Sequence, residues 1–143
     1  MATTKRIEES DIAILSAAVA DFTPVESAKR KVKRGKEEWS IRMKPTTDIA
    51  AEMGKRKKSG QIFVGFALES DHGLENARLK LVKKNLDLIL LNHTGEAGAG
   101  FGTDTNRVTM IDRRGDVEQY ELKPKRQVAV DLVDRLIKMM EDA

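Results

Sequence analysis

Two apolar runs, Ile62 to Leu68 (IFVGFAL) and Leu86 to Leu91 (LDLILL), constrain the fold of this chain more than any other feature. Each has the length of a strand, and the first is continuous rather than alternating. That is the pattern of a strand covered on both faces, and so of a parallel sheet. Between them Leu74, Ala77 and Leu81 recur at i, i+3 and i+7, which predicts a helix over Leu74–Lys84 with these three inward. Ahead of them Ile12–Leu15 reads as a further short strand. Asp48–Arg56 reads as a helix with Thr47 as its N-cap and Asp48 in the first turn, where the helix dipole favours negative charge. Strands and helices thus alternate from Ile12 to Leu91. The expected fold is α/β: a mostly parallel, Rossmann-like sheet in three layers.

The remaining stretches decorate that frame. Thr4–Ser10 reads as the tail of a helix or a tether, and Val19–Gly35 as loop, with Pro24 breaking any helix. Glu38–Met43 alternates, so Trp39, Ile41 and Met43 would share one side of a strand that Pro45-Thr46-Thr47 ends. Gly95–Gly102, with four glycines, reads as a flexible loop. Arg107–Ile111 and Val117–Leu122, turned by Asp112–Asp116 with Gly115, make an added antiparallel hairpin. Lys125–Glu141 closes the chain as an amphipathic helix with an apolar stripe of Val128, Leu132, Val133, Leu136, Ile137 and Met140.

Composition narrows the function. The 143 residues suit one domain, and 40% hydrophobic content suffices for a core. With no cysteine there is no disulfide, thiolate metal site or cysteine nucleophile, which fits a cytoplasmic protein; two histidines cannot build a His-rich metal centre. No apolar run approaches a membrane span, and the N-terminus is charged rather than signal-like. Net charge is only +3, so the basic residues are read by location.

Location singles out the end of the first strand. Ser16, Ala17, Ala18 and Ala20 are small and permit close approach, and Asp21 follows with a carboxylate. Ten residues on, Lys31 sits among six cations in eight positions: Lys29, Arg30, Lys31, Lys33, Arg34 and Lys36. In open α/β sheets ligands bind beyond the carboxyl ends of the strands. A small-residue bend, a carboxylate and a cationic loop suit a polyphosphate with its metal. Three strand ends carry such chemistry: SAAVAD, GFALES and NHTGEAGAGFG. The plain alternatives are a solvated basic loop for Lys31, a turn cap for Asp21, core packing for Phe66, a structural or exposed role for His93, and two solvated cations at i, i+4 for Lys80 and Lys84. A shared anion would turn the repulsion between those two lysines into a clamp.

AAVADF, KVKR ten residues after the Asp, TTDI, VGFALES, KKNLDLILLN and GAGFGTDTN, in this order and spacing, resemble the bacterial phosphopantothenate–cysteine ligase. This is the phosphopantothenoylcysteine synthetase of coenzyme A biosynthesis, often fused behind a flavin decarboxylase. The resemblance runs from about Asp11 to the C-terminus. It implies that residues 1–143 are the C-terminal portion of a larger synthetase domain. The family's upstream half carries a Gly-rich phosphate loop and an Asn used in the second chemical step, whereas here the first glycine is Gly35.

The resemblance also implies substrates and roles. CTP, 4′-phosphopantothenate and cysteine would be the substrates, with Mg²⁺ on the nucleotide and FMN only where a decarboxylase domain is fused upstream. Lys31 would be the charge-stabilising catalytic residue. Ala18, Asp21, Thr47, Asp48, Ile49, Ala50, Phe66, Lys80 and Lys84 would hold the nucleotide, with Asp21 meeting the metal and Gly65 allowing close approach at Phe66. Thr47 to Ala50 departs from the family's usual Asn/Thr-Pro-Asp-Ile by lacking the Pro. The region of Asn92, His93 and the glycine loop would lie near the active site and a homodimer contact. Two other readings stand beside this one. KRKVKRGK and KRKK (Lys55–Lys58) could mark a nucleic-acid-binding module, although 4% aromatic content offers no stacking platform. A non-catalytic half-domain that only binds nucleotide or dimerises is the other.

Overall fold

The computed structural model describes residues 6–28, 30–33, 38–69, 72–93 and 102–142. Its centre is a five-stranded sheet. In chain order the strands of that sheet are β1 (Ile12–Leu15), β4 (Ile62–Glu69), β5 (Leu88–His93), β7 (Val108–Asp112) and β8 (Val117–Gln119), and they lie side by side in that same order. β1, β4 and β5 are parallel, in register Leu15↔Gly65 and Phe66↔Leu90; β7 and β8 add antiparallel. Among the described residues three helices cover it: α1 (Ile49–Arg56), α2 (Gly73–Lys83) and α3 (Lys125–Glu141).

Alternation along the strands divides the core in two. Phe63, Ala67, Ile89, Leu91 and Ile111 face Met53 of α1 and Ala77 and Leu81 of α2. Val64, Leu88, Leu90, Val108 and Met110 face Val128, Leu132 and Leu136 of α3. The expected three-layer α/β fold with a mainly parallel sheet and an added hairpin is therefore what forms. No helix among the described residues is long and apolar enough to cross a membrane.

Several local expectations change. Thr4–Ser10 is not a loose tether where it is described. Ile7 of a 3₁₀ turn, Ile7–Glu9, is buried, and the Gln61 amide donates to the Ile7 and Ser10 carbonyls at 2.6 and 2.7 Å. No strand forms over residues 38–42, where one was expected; β3, Met43–Pro45, begins at the last residue of that stretch and takes in Pro45, and it pairs antiparallel with β2, Phe22–Pro24, inside the stretch read as loop. Trp39, Ile41 and Met43 are all exposed on this arm, so alternation there did not report a buried face. A second short ladder, β6 (Thr105–Asn106) with β9 (Lys123–Pro124), was likewise unmarked by any periodicity. Leu74 is exposed at the start of α2, and Val133, Ile137 and Met140 of the α3 stripe stay in solvent. Of the Gly95–Gly102 loop, residues 95–101 lie outside the described residues.

Two glycines are dictated by packing. A Cβ at Gly54 would lie 2.0 Å from the Lys84 carbonyl oxygen, and one at Gly65 would lie 2.5 Å from a Leu86 methyl. Gly54 lets α1 approach the end of α2, where the Asn85 amide donates to the Gly54 carbonyl at 2.8 Å. Gly65 makes room for the Leu86 side chain, a core reason for a residue read from the sequence as ligand clearance.

Candidate functional site

The chain leaves β1 at Ser16 and runs exposed through Ala18 to Asp21. Thr46 clips this loop. Its hydroxyl donates to the Ala20 carbonyl at 2.6 Å and its N–H to the Asp21 carbonyl at 2.9 Å. The β2–β3 arm thus brings SAAVAD beside the start of α1. There Asp48, not Thr47, is the N-cap: its backbone is extended and its carboxylate accepts the Ala51 N–H at 3.0 Å. Asp has the reach to close that bond from the position immediately before the helix. Its other oxygen meets Lys84 Nζ at 3.3 Å. One continuous path therefore joins Asp21, Thr46, Asp48 and Lys84. Thr47 lies exposed along it, and the half-buried Ile49 and Ala50 offer first-turn N–H groups.

A second cluster lies at the carboxyl ends of β4 and β5. Lys80 pairs with Glu69, which also accepts from the Asn76 amide at 3.1 Å. Glu69 stands in register with His93, whose Nε2 is 2.8 Å from the Thr109 hydroxyl; Asn106 donates its amide to Asn92 at 3.0 Å. The expected clamp of Lys80 and Lys84 on one anion is here two separate ion pairs, each lysine with its own carboxylate. Glu69, Thr46 and Asn106 were missed in the sequence. The only signal for Glu69 was its place at the end of GFALES.

Phe66 lies one residue beyond the last β1–β4 partner, half-buried against the α3-side core. Its ring thus borders the point where β1 leaves the sheet. Lys31 is exposed and has no ion-pair partner among the described residues; neither it, Ala18 nor Phe66 bonds to the two clusters. No group of three or more acidic or histidine side chains converges as a metal site among the described residues. Asp21 is an exposed carboxylate that joins no acidic cluster among the described residues, which fits an ion held mainly by substrate phosphates rather than by a protein cage. The KRKK run is not a free cationic stripe, because Lys55 pairs with Glu52 and Lys57 is nearly buried against Asp87.

Glu69 and Asp48 are both held below their ordinary values. Hydrogen bonding from Lys80 holds Glu69 below its usual value of 4.5, and this outweighs the effect of burial. For Asp48 burial alone would raise the value, but the Ala51 N–H and the Lys84 ammonium together bring it below 3.8. A carboxyl with a lowered folded value gives its stability above the unfolded value and loses it as pH falls through the folded one. Thermal melts should therefore hold steady above about pH 5 and decline in acid below about pH 4. Lys80→Met with Lys84→Met should flatten that decline. An acid profile identical to wild type would show that these pairs contribute nothing.

A three-layer α/β domain with polar, lysine-flanked clusters beyond its parallel strand ends is a domain of the class that takes its ligand at that edge. Residues 1–140 match the DNA/pantothenate metabolism flavoprotein C-terminal domain, and the chain belongs to that family. It is 41% identical over 129 residues to the coenzyme A biosynthesis bifunctional protein CoaBC of Bacillus subtilis (strain 168), covering 90% of this chain and 32% of that protein. It is 50% identical over 139 residues to a protein named cysteine/cysteine sulfinic acid decarboxylase from an unknown prokaryotic organism, covering 97% of this chain and 39% of that one. The crystal structure of the C-terminal domain of a coenzyme A biosynthesis bifunctional protein CoaBC superposes with a TM-score of 0.77 at 34% identity, over 99% of this chain and 63% of that one. The chain thus spans about a third of the length of these curated relatives.

Proposed function

We propose that this chain is the C-terminal portion of a phosphopantothenate–cysteine ligase acting in coenzyme A biosynthesis. The observation that carries the reading is the path from Asp21 through Thr46 to Asp48 and Lys84, in a chain that matches the CoaBC C-terminal domain along nearly its whole length. In this reading the carboxylate of 4′-phosphopantothenate attacks the α-phosphorus of CTP, giving an acyl-cytidylate and pyrophosphate. The amine of cysteine then displaces CMP and forms the amide. Lys31 offsets the repulsion between two anions and stabilises charge on the phosphoryl oxygens.

Asp48, Lys80 and Lys84 surround the triphosphate, with the N–H groups of Ile49 and Ala50 and the backbone at Ala18 and Thr47 beside it. Phe66 meets the base. Asp21 is the protein oxygen ligand that would hold the nucleotide's Mg²⁺, which would supply charge neutralisation at the phosphates. Phosphate oxygens would compete with Glu69 and Asp48 for the two lysines. The exposed apolar side chains of the β2–β3 arm, Phe22, Trp39, Ile41 and Met43, support a homodimer. A fused decarboxylase domain with FMN belongs to the same reading, by analogy with bifunctional relatives.

Titration calorimetry with Mg²⁺ should show CTP binding in preference to ATP, and Lys84→Ala should weaken it. Equal or tighter ATP binding would remove the CTP assignment. The name of the 50% identical relative favours a second reading, in which the whole protein serves a decarboxylase. Carbon dioxide release from cysteine sulfinate by the complete protein, without pyrophosphate release from CTP, would decide for it.

A further inference from the structure

Asp21 lies on an exposed loop, yet its backbone is held from one place. The Thr46 hydroxyl donates to the Ala20 carbonyl at 2.6 Å, and the Thr46 N–H donates to the Asp21 carbonyl at 2.9 Å. A carbonyl oxygen only accepts, so the direction of the hydroxyl bond is fixed. Peptide units are planar, and these two carbonyls belong to the two units that flank the Asp21 Cα. One residue thus anchors both planes. The φ and ψ of Asp21, and with them the direction of its Cα–Cβ bond, follow from Thr46.

Two simpler duties for the Thr46 hydroxyl are already met by other groups. Helix α1 takes its cap from Asp48. The β2–β3 arm closes through its backbone, with Phe22 opposite Pro45 and the Thr46 N–H on Asp21. The hydroxyl bond reaches one residue past that ladder, onto the SAAVAD loop, across 26 residues of chain. A Thr close to a helix start ordinarily turns its hydroxyl to nearby backbone. Here it joins a distant loop instead. Thr46 also stands two residues before Asp48, whose carboxylate meets Lys84 Nζ at 3.3 Å. It therefore sets the Asp21 loop and the first turn of α1 at a fixed spacing.

We propose that Thr46 is a positioning residue for the metal-bound nucleotide, acting through Asp21 and not on the ligand itself. It aims the Asp21 carboxylate at the ion while the first turn of α1 stays beside the phosphates. The inference rests on the reading of Asp21 as the Mg²⁺ ligand, and adds the group that makes an exposed loop carboxylate fit for that use. A partner that orients a metal ligand is typically worth about 10–100-fold in metal affinity or activity.

The test uses a protein carrying the complete ligase domain and titrates CTP by calorimetry with saturating Mg²⁺ and with none. The readout is the gain in CTP affinity that Mg²⁺ brings. Thr46→Val keeps the N–H and the branched shape and removes the hydroxyl, and it should cut that gain about 10-fold or more. Thr46→Ser, which keeps the hydroxyl, should preserve most of it. In an Asp21→Ala background Thr46→Val should cost less than about twofold more, because its effect passes through the carboxylate. Should Thr46→Val melt early, Thr46→Ser against Thr46→Ala carries the same comparison. A merely structural Thr46 would weaken CTP binding equally with and without Mg²⁺, and no less in the Asp21→Ala background. Either result would overturn the inference, as would a full Mg²⁺ gain in Thr46→Val. If wild-type CTP affinity does not depend on Mg²⁺, the reading of Asp21 falls first and the inference with it.

Discussion

Lys31→Gln, made in a protein that carries the complete ligase domain, is expected to lower kcat for pyrophosphate release from CTP by about 10²–10³-fold, the usual cost of losing one donor to developing charge. Its melting temperature should not move. Lys31 is exposed and makes no ion pair among the described residues, so the fold does not use it. A neutral amide, only one atom shorter than the lysine side chain, removes the charge while staying polar. Substitutions at such positions usually change stability by no more than about 0.5 kcal/mol. Wild-type turnover in this variant would show that another group stabilises the phosphoryl oxygens, and the role assigned to Lys31 would fall.

Asp87→Ala should destabilise the fold by about 3 kcal/mol, a loss of about 10 °C in melting temperature. Asp87 precedes β5 and ties three elements. One carboxylate oxygen accepts the Phe63 N–H at 2.7 Å, and the group pairs with Lys57, whose ammonium stands 5.5 Å from the Phe63 ring centre. The side chains of Lys57 and Asp87 are only 9% and 18% exposed. Removing the carboxylate strands a nearly buried ammonium and leaves the Phe63 N–H, near the start of β4, without its acceptor. Lys57→Met with Asp87→Ala should recover part of the loss, because no buried charge then remains. A single Asp87→Ala variant that melts with wild type would mean that water already compensates this pair.

This pair shows where sequence reasoning stopped. Lys57 stands in a run of four cations, KRKK, and nothing local marks it as different from Lys58. Only the return of the chain thirty residues later, carrying Asp87, separates them. Asp48 was nearer to legible. Its place before an apolar period gave the helix start to within a residue, and the choice between Thr47 and Asp48 as cap depended on backbone dihedrals. Gly65 illustrates the reverse case. It invited a ligand explanation, yet its missing side chain is filled by Leu86 from the next strand's entry.

What the sequence by itself determined is the parallel core and the helices that cover it. The continuous apolar runs of β4 and β5, and the 3.6-residue period of α3, are local consequences of burial on two faces or one. They could be read without knowing any partner, and α3 falls at Lys125–Glu141 as expected. The order of motifs from AAVADF to GFGTDTN carried the family in the same way. The tertiary structure alone decided the β2–β3 clip through Thr46, the pairing of Lys80 with Glu69 and Lys84 with Asp48, and which half of the α3 stripe enters the core. Each of these depends on residues distant in the chain meeting at one edge of the sheet. Periodicity reports how a segment meets the core, whereas a polar pair is fixed by the topology that brings its two ends together.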